Sequence, residues 1–350
     1  MSTEPIRGII VGMGGVTREM LKTLGDARWF ELVGAVDVRE EALAEARDQF
    51  GLAGDSTTTS LEHALATSDA TVVIVNTPSH LHFDQVAKVL KSGRHALVAK
   101  PVTNDFDEAV ALVELARSNE VTLAVGQQMR YRRHYRAVAA YVASGALGTP
   151  QSVNFINAKP RPRALNLASM LQPALYEMSC HHFDCLMSVF PEAMPEWIVC
   201  DGFRPSWSPY AGPCMVNAAI RFSGNLHVLY QGGFSSQADS YEFRIEGTSG
   251  ALRCRGVHMS KDPVTYEKAS PNGAWEPVDI EAAVPAGDAW VDLLKLWRDQ
   301  VAGLVDPPFS GRRNLLPFAL LSAGVDSVNS GLPVSLGPDS RFAIAFTEGV

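Results

Sequence analysis

Apolar runs and helical periods alternate through the first third of the chain. Residues 6–11 are apolar and rich in β-branched side chains. Gly12-Met13-Gly14-Gly15 follows at once, and then Val16, Met20, Leu21 and Leu24 recur at helical spacing. A second apolar run over 31–36 stops at Asp37. The pattern predicts strand, tight turn, helix, strand. It continues with a helix over 39–50 carrying Leu43, Ala46 and Phe50 on one side, and a short helix over 61–66 capped by Ser60. A strand over 71–75 comes next, and then a helix capped by Ser79 with Leu81, Val86, Val89 and Leu90 on its apolar side. A strand over 95–99, a helix over 105–117 and a strand over 121–125 complete the series. Such alternation predicts a parallel sheet covered on both faces, with the carboxyl ends of its strands lining a ligand crevice.

The period changes after Gly126. Residues 130–144 read as a helix with a basic face of Arg130, Arg132, Arg133, His134 and Arg136, a face that is solvated or rims an anionic ligand. A strand over 151–158 leads into the basic loop Lys159-Pro160-Arg161-Pro162-Arg163, and residues 176–190 form a helix of unusual polar content. From there to about 278, strands and turns dominate, with hairpins around Ser223-Gly224-Asn225 and 247–250. Two helices, 288–302 and 312–330, close the chain.

The turn after the first strand has the marks of a dinucleotide site. Gly12 permits the tight turn, Gly14 lets a pyrophosphate approach the backbone, and the following helix N-terminus opposes its charge. Asp37 stands where a carboxylate can accept from a ribose diol. Thr17 occupies the third small position, a departure expected to cost some helix-strand closeness.

With 350 residues the chain is long enough for two domains. It is 46% hydrophobic and 19% charged, and its formal net charge is -8. That balance offers no steering toward nucleic acid or an acidic membrane surface. No basic leader precedes the first strand and no apolar run reaches spanning length, so a cytoplasmic protein without membrane partners is expected. Five cysteines, an odd number without paired ligand spacing, read as small buried hydrophobes, and no metal site is expected.

Two places could carry chemistry. Lys100, restrained by Pro101, ends a strand on the ligand side and could hold a substrate oxygen; a surface lysine is the plain alternative. Glu177, His181 and Asp184 follow at helical spacing, with His182 a third of a turn away. A carboxylate one turn before an imidazole suits a general base. An ordinary helix-surface pair, or metal ligation without a recognisable third ligand, reads the same residues differently.

The chain resembles the glucose-fructose oxidoreductase / inositol dehydrogenase / MocA family in several places. The signatures run in order: Gly12-Met13-Gly14-Gly15, Asn76-Thr77-Pro78 with His82, Lys100-Pro101, and Glu177 through Asp184. Val125-Gly126 before Arg130-Tyr131, Gly145-Ala146-Leu147-Gly148 and Ser330-Gly331-Leu332-Pro333-Val334 extend the likeness over nearly the whole chain. The resemblance implies an α/β protein with an N-terminal Rossmann dinucleotide-binding domain, 1–126. A C-terminal α/β domain with a large, mostly antiparallel open sheet, 127–350, would bind substrate and mediate a homodimer or homotetramer. It implies an NAD(P)-dependent enzyme acting on a hydroxyl or carbonyl of a sugar, cyclitol or related polyol.

The resemblance also assigns roles. Lys100, His181 and Glu177 would be catalytic, with His181 taking the hydroxyl proton and Lys100 stabilising the alkoxide. The residues expected against the cofactor are Gly12, Met13, Gly14, Gly15, Val16, Asp37, Val38, Arg39, Asn76, Thr77, Pro78, His82, Lys100 and Gln127. Those expected against the substrate are Lys100, Tyr131, Asn157, Lys159, His181 and Asp184, with Arg130, Arg161 and Arg163 within reach. Asp37 favours NAD over NADP, although Arg39 leaves room for a phosphate contact. Ala99 replaces the family's usual glutamate and Glu177 its usual aspartate. Ala99 fits one rival, a non-catalytic dinucleotide-binding sensor; a sugar-to-sugar oxidoreductase or oxidation-assisted lyase that retains its NAD also competes.

Overall fold

The computed structural model describes residues 5–25, 27–161, 170–256 and 264–347. The chain clusters into two units, Met1–Gln128 with Asp288–Leu315, and Met129–Gly287 with Leu316–Val350.

The first unit alternates β1 (Ile6–Val11), α1 (Gly15–Leu24), β2 (Phe30–Val36), α2 (Glu40–Phe50), β3 (Thr57–Thr58), α3 (Leu61–Thr67), β4 (Val72–Val75), α4 (His82–Lys91), β5 (His95–Val98), α5 (Phe106–Ser118) and β6 (Leu123–Val125). Among the described residues the strands form one six-stranded sheet in the order β3-β2-β1-β4-β5-β6, parallel throughout. This is the doubly wound order of a Rossmann domain. Every residue of β4 is buried, as a central strand covered on both faces requires. Ser60 caps α3 by accepting the His63 N–H at 3.2 Å, and Asp105 caps α5 by accepting from Asp107 and Glu108. Ser79 does not cap the next helix. It opens a single 3₁₀ turn, Ser79–Leu81, and α4 starts three residues later without a side-chain cap, leaving Leu81 exposed on that turn.

One stretch departs from the expected partition at 127. α8 (Ala289–Val301) and the beginning of α9 (Gly311–Ser330) cluster with the first unit. The reason is backbone pairing at the edge strand: Val125 N–H donates to the Phe309 carbonyl at 2.9 Å, Ala124 bridges Ser310, and the Gln300 amide reaches the Leu123 carbonyl at 3.3 Å. An edge strand's unpaired groups are satisfied by a segment nearly two hundred residues later.

In the second unit α6 (Arg133–Ala143) and α7 (Cys180–Val189) accompany β7 (Pro150–Pro160), β8 (Pro195–Phe203), β9 (Met215–Phe222), β10 (Leu226–Gly233), β11 (Ser235–Gly247), β12 (Gly250–Gly256), β13 (Thr265–Ala269), β14 (Glu276–Pro277) and β15 (Val334–Ser335). The described strands make a nine-stranded sheet, β14-β13-β12-β11-β7-β10-β9-β8-β15, in which β7 and β10 are parallel and all other pairs antiparallel. Alternation along the strands gives the sheet one buried face. In β10 Val228 and Tyr230 are buried while Leu229 is 61% exposed. The buried face carries an aromatic cluster in which Phe155 lies 4.8 Å from both the His182 and Phe243 rings.

α6 is fastened through His134, whose Nδ1 lies 3.0 Å from the Tyr266 hydroxyl and whose Nε2 contacts the Tyr241 hydroxyl. Burial pushes this imidazole down to about 3. The basic face expected over 130–144 is broken at its start. Arg130 lies in a 3₁₀ turn, Gln128–Tyr131, ahead of the helix, and its side chain is buried.

Candidate functional site

In the first unit, the expected cofactor residues gather at the carboxyl ends of β1, β2 and β4, on either side of the point where the strand order reverses. Gly12 has φ +89, and a Cβ there would stand 2.7 Å from the Asn76 carbonyl oxygen, so only glycine fits. A Cβ on Gly14 or Gly15 would meet nothing within 4 Å, which leaves open space over the turn. α1 begins there with no side-chain cap and no acidic residue in its first turn, so its leading N–H groups suit a pyrophosphate. These features fit a dinucleotide.

Thr17, expected to cost closeness, instead ties the turn together. Its hydroxyl donates to the Gly12 carbonyl and accepts from Asn76 Nδ2 at 3.0 Å, and the residue is wholly buried. In the sequence, only the missing glycine hints at this role.

Asp37 directly follows β2 and is buried. Its Oδ2 accepts the Met13 N–H at 2.8 Å, and Arg39 donates to it through its backbone N–H at 2.9 Å and through a two-pronged guanidinium contact at 3.0 Å. Burial raises the Asp37 carboxyl, but the hydrogen bonds from Arg39 and Met13 outweigh it and hold the group below its ordinary value. Val16 and Val38 are exposed, 43% and 85%, on the rim of the same end of the sheet.

His82 is expected against the cofactor, but its ring joins two loops of its own chain. Nδ1 lies 2.8 Å from the Pro101 carbonyl oxygen and Nε2 2.8 Å from that of Thr77, and the residue is 1% exposed. Burial pushes it down, outweighing the pull of those carbonyls, and the Lys100 charge pushes the same way. His82 thereby ties the Asn76-Thr77-Pro78 loop to the Lys100-Pro101 step that follows β5. Lys100 is half-buried there, and Gln127 is buried just beyond β6. Ala99 donates its N–H to the Val75 carbonyl at 2.8 Å and brings no carboxylate to this position.

In the second unit, Glu177 and His181 do not sit on one regular helix. Leu175–Ser179 is a π turn that runs into α7 at Cys180, so the extra residue per turn changes how Glu177 aligns with His181. His181 is 8% exposed and Glu177 half-buried. Asp184, for which the resemblance implies substrate contact or site architecture, is 0% exposed and faces Arg130. The Arg130 Nε donates to Oδ2 at 2.8 Å and Nη2 contacts Oδ1. Burial raises the Asp184 carboxyl against the pull of Arg130. Arg130 is thus not on a solvated face. Tyr131 is half-buried in the same turn as Arg130. Near the end of β7 Asn157 is buried and Lys159 half-buried, and Lys159 and Arg161 both lie over the Phe234 ring, at 5.9 and 5.2 Å. Arg163 lies outside the described residues. Among the described residues no group of His, Cys, Asp and Glu has the geometry to hold a metal, and no helix is long and apolar enough to cross a membrane.

A family model described as "Oxidoreductase family, NAD-binding Rossmann fold" matches residues 6–127, and the GFO/IDH/MocA C-terminal domain model matches residues 135–253. The chain belongs to the Gfo/Idh/MocA oxidoreductase family. It is 27% identical over 327 residues to the uncharacterised protein y4oX of Sinorhizobium fredii, covering 87% of this chain and 88% of the relative. It is 24% identical over 260 residues to 1,5-anhydro-D-fructose reductase of Ensifer adhaerens, covering 73% and 77%. In fold it is similar to an oxidoreductase from Agrobacterium radiobacter solved with NAD+, L-tartaric acid and magnesium, with a TM-score of 0.82, 18% identity and coverage of 94% and 98%. Membership makes the first unit an NAD(P)-binding Rossmann domain and the protein, at family level, an NAD(P)-dependent oxidoreductase.

Proposed function

We propose that the protein is an NAD-preferring dehydrogenase or reductase acting on a hydroxyl or carbonyl of a sugar, cyclitol or related polyol. The observation that carries the cofactor reading is Asp37, a carboxylate held ionised at the end of β2 by the Met13 N–H and Arg39. A carboxylate there accepts from a ribose diol and repels a 2′-phosphate. The family supports the redox class, and the Ensifer relative, named for reducing a sugar derivative, supports the substrate class.

In this reading Gly12, Gly14, Gly15 and the start of α1 hold the pyrophosphate, and Asp37 holds the adenosine ribose. A nicotinamide supplies hydride exchange at carbon. His181 takes the proton of the substrate hydroxyl, Glu177 supports that imidazole, and Lys100 stabilises the alkoxide as it forms. Tyr131, Asn157 and Lys159 contact the other polar groups of the substrate. Arg130 and Asp184 serve as a buried pair supporting α7. The exposed face of the nine-stranded sheet, where Asn154, Ile156, Ala219, Leu229 and Gln231 line an open groove, joins copies of the chain into a homodimer or homotetramer. Domain limits of 1–126 and 127–350, with 288–315 returning to the first, express the same division of labour.

A second reading rests on Ala99, which places no carboxylate beside Lys100: a dinucleotide-binding sensor without turnover. Titration of cofactor-stripped protein with NADH and NADPH, followed by a screen of sugars and inositols on wild type and His181→Ala, separates the two. Tight NADH binding with turnover lost in the variant is expected. NADH binding without turnover of any polyol would establish the sensor.

A further inference from the structure

Inside the second unit four side chains form one hydrogen-bonded file ending on a backbone carbonyl. Asn157 Nδ2 lies 2.9 Å from His182 Nε2, and His182 Nδ1 lies 2.8 Å from the Tyr230 hydroxyl. That hydroxyl lies 2.8 Å from Ser179 Oγ, which donates to the Ala174 carbonyl oxygen at 3.2 Å. None of the four residues is more than 2% exposed.

The chemistry of the last atom sets the direction of every bond. A carbonyl oxygen only accepts, so the single Ser179 proton points at Ala174. Tyr230 then donates to Ser179, and burial drives its phenol far above the ordinary value, so it keeps that proton. The Tyr230 oxygen in turn accepts from His182 Nδ1–H. A neutral imidazole protonated at Nδ1 presents a lone pair at Nε2, and Asn157 must meet it with its NH2 group. The π turn makes this possible: Ser179 reaches a carbonyl five residues back, where a regular helix offers a hydroxyl those three or four back.

We propose that His182 is a positioning residue for Asn157. Resting on the polyol reading above, the file fixes the Asn157 amide with its nitrogen toward α7 and its carbonyl oxygen turned away from His182, so that Asn157 meets the substrate as an acceptor. The position it reads must then carry a hydroxyl. A deoxy, O-methyl or keto group there has no proton to give, and a site built to bond a hydroxyl rejects such analogues strongly.

Nitrogen-15 NMR of histidine-labelled protein, with the His182 signals assigned by their loss in His182→Gln, reads the tautomer directly and without substrate. A proton on Nδ1 and none on Nε2 is expected; a proton on Nε2 overturns the file. Tyr230→Phe keeps the ring and cuts the file beyond His182. It should raise KM for the best polyol about tenfold while kcat and the NADH Kd stay within about twofold. Added to Asn157→Ala, it should have no further effect on KM. Independent, multiplying effects of the two substitutions overturn the coupling. Because the tautomer is read on the free protein, absence of turnover with every polyol would sink the proposed function and leave the direction of the file to be decided by the NMR alone.

Discussion

Arg130 and Asp184, 54 residues apart in sequence, face each other as a two-pronged ion pair whose side chains are 9% and 1% exposed. Removing one partner of such a pair leaves a desolvated charge with nothing to answer it. Asp184→Ala should therefore lower the unfolding free energy by about 3–5 kcal/mol, whereas Arg130→Met with Asp184→Leu should recover most of that loss. Urea unfolding of the three proteins checks this. A loss under about 1 kcal/mol in the single variant would show that the pair is not a structural clamp.

Thr17→Val keeps the shape and deletes the hydroxyl shared by the Gly12 carbonyl and the Asn76 amide. The glycine turn and the Asn76-Thr77-Pro78 loop lose their direct tie, at a cost of about 1–3 kcal/mol for the buried groups left unmatched. NADH affinity should fall about tenfold. Calorimetric titration reads the change, and an unaltered Kd would make Thr17 a packing residue only.

Asp37→Ser removes the anion and releases the Arg39 guanidinium from its carboxylate. NADH should bind about tenfold more weakly and NADPH more tightly than to wild type, since a freed arginine can meet a 2′-phosphate. Fluorescence titration with both cofactors tests the switch. Unchanged preference would detach cofactor choice from Asp37.

His134 is held neutral by burial, its folded value near 3 lying below the unfolded value of about 6.5. The unfolded chain binds that proton first, so the contribution is complete above pH 6.5 and drains away as pH falls toward 3. Between pH 7.5 and 5 the loss from His134 is about 2 kcal/mol. Burial lowers His82 and His95 as well, in the same direction. Unfolding free energies of wild type and His134→Leu at the two pH values give the slope. Parallel slopes in the two proteins would assign the acid sensitivity elsewhere.

Local repetition makes the first sheet legible in the sequence. β-branched runs such as 72–75 and helical periods such as Val86, Val89 and Leu90 state their geometry within a dozen residues, and Ser60 marks a helix start by chemistry. What stays hidden depends on partners far along the chain. Nothing near Asp184 announces Arg130, and nothing in 288–315 announces the edge of β6. The Leu175–Ser179 turn is invisible because one extra residue in a helical turn leaves the apolar period almost unchanged, yet it alters what Glu177, Ser179 and His181 face. Ser79 misleads because a serine before a helical period is also compatible with a 3₁₀ turn. The candidate site is thus readable as a roster of residues, and less readable as a set of contacts: His82, Asp184 and Arg130 are present but turned toward their own chain.

The return of 288–315 to β6 bears on how the protein is made. A ribosome delivers the first 128 residues early, but the segment that closes the edge of their sheet emerges only when Leu315 does. At about 5–20 residues per second, that is many seconds of exposure for an unpaired strand. The nascent cofactor-binding unit must wait with an open edge while β7 to β14 of the second sheet are synthesised, and a gene fragment stopping at Gln128 would encode that waiting state permanently.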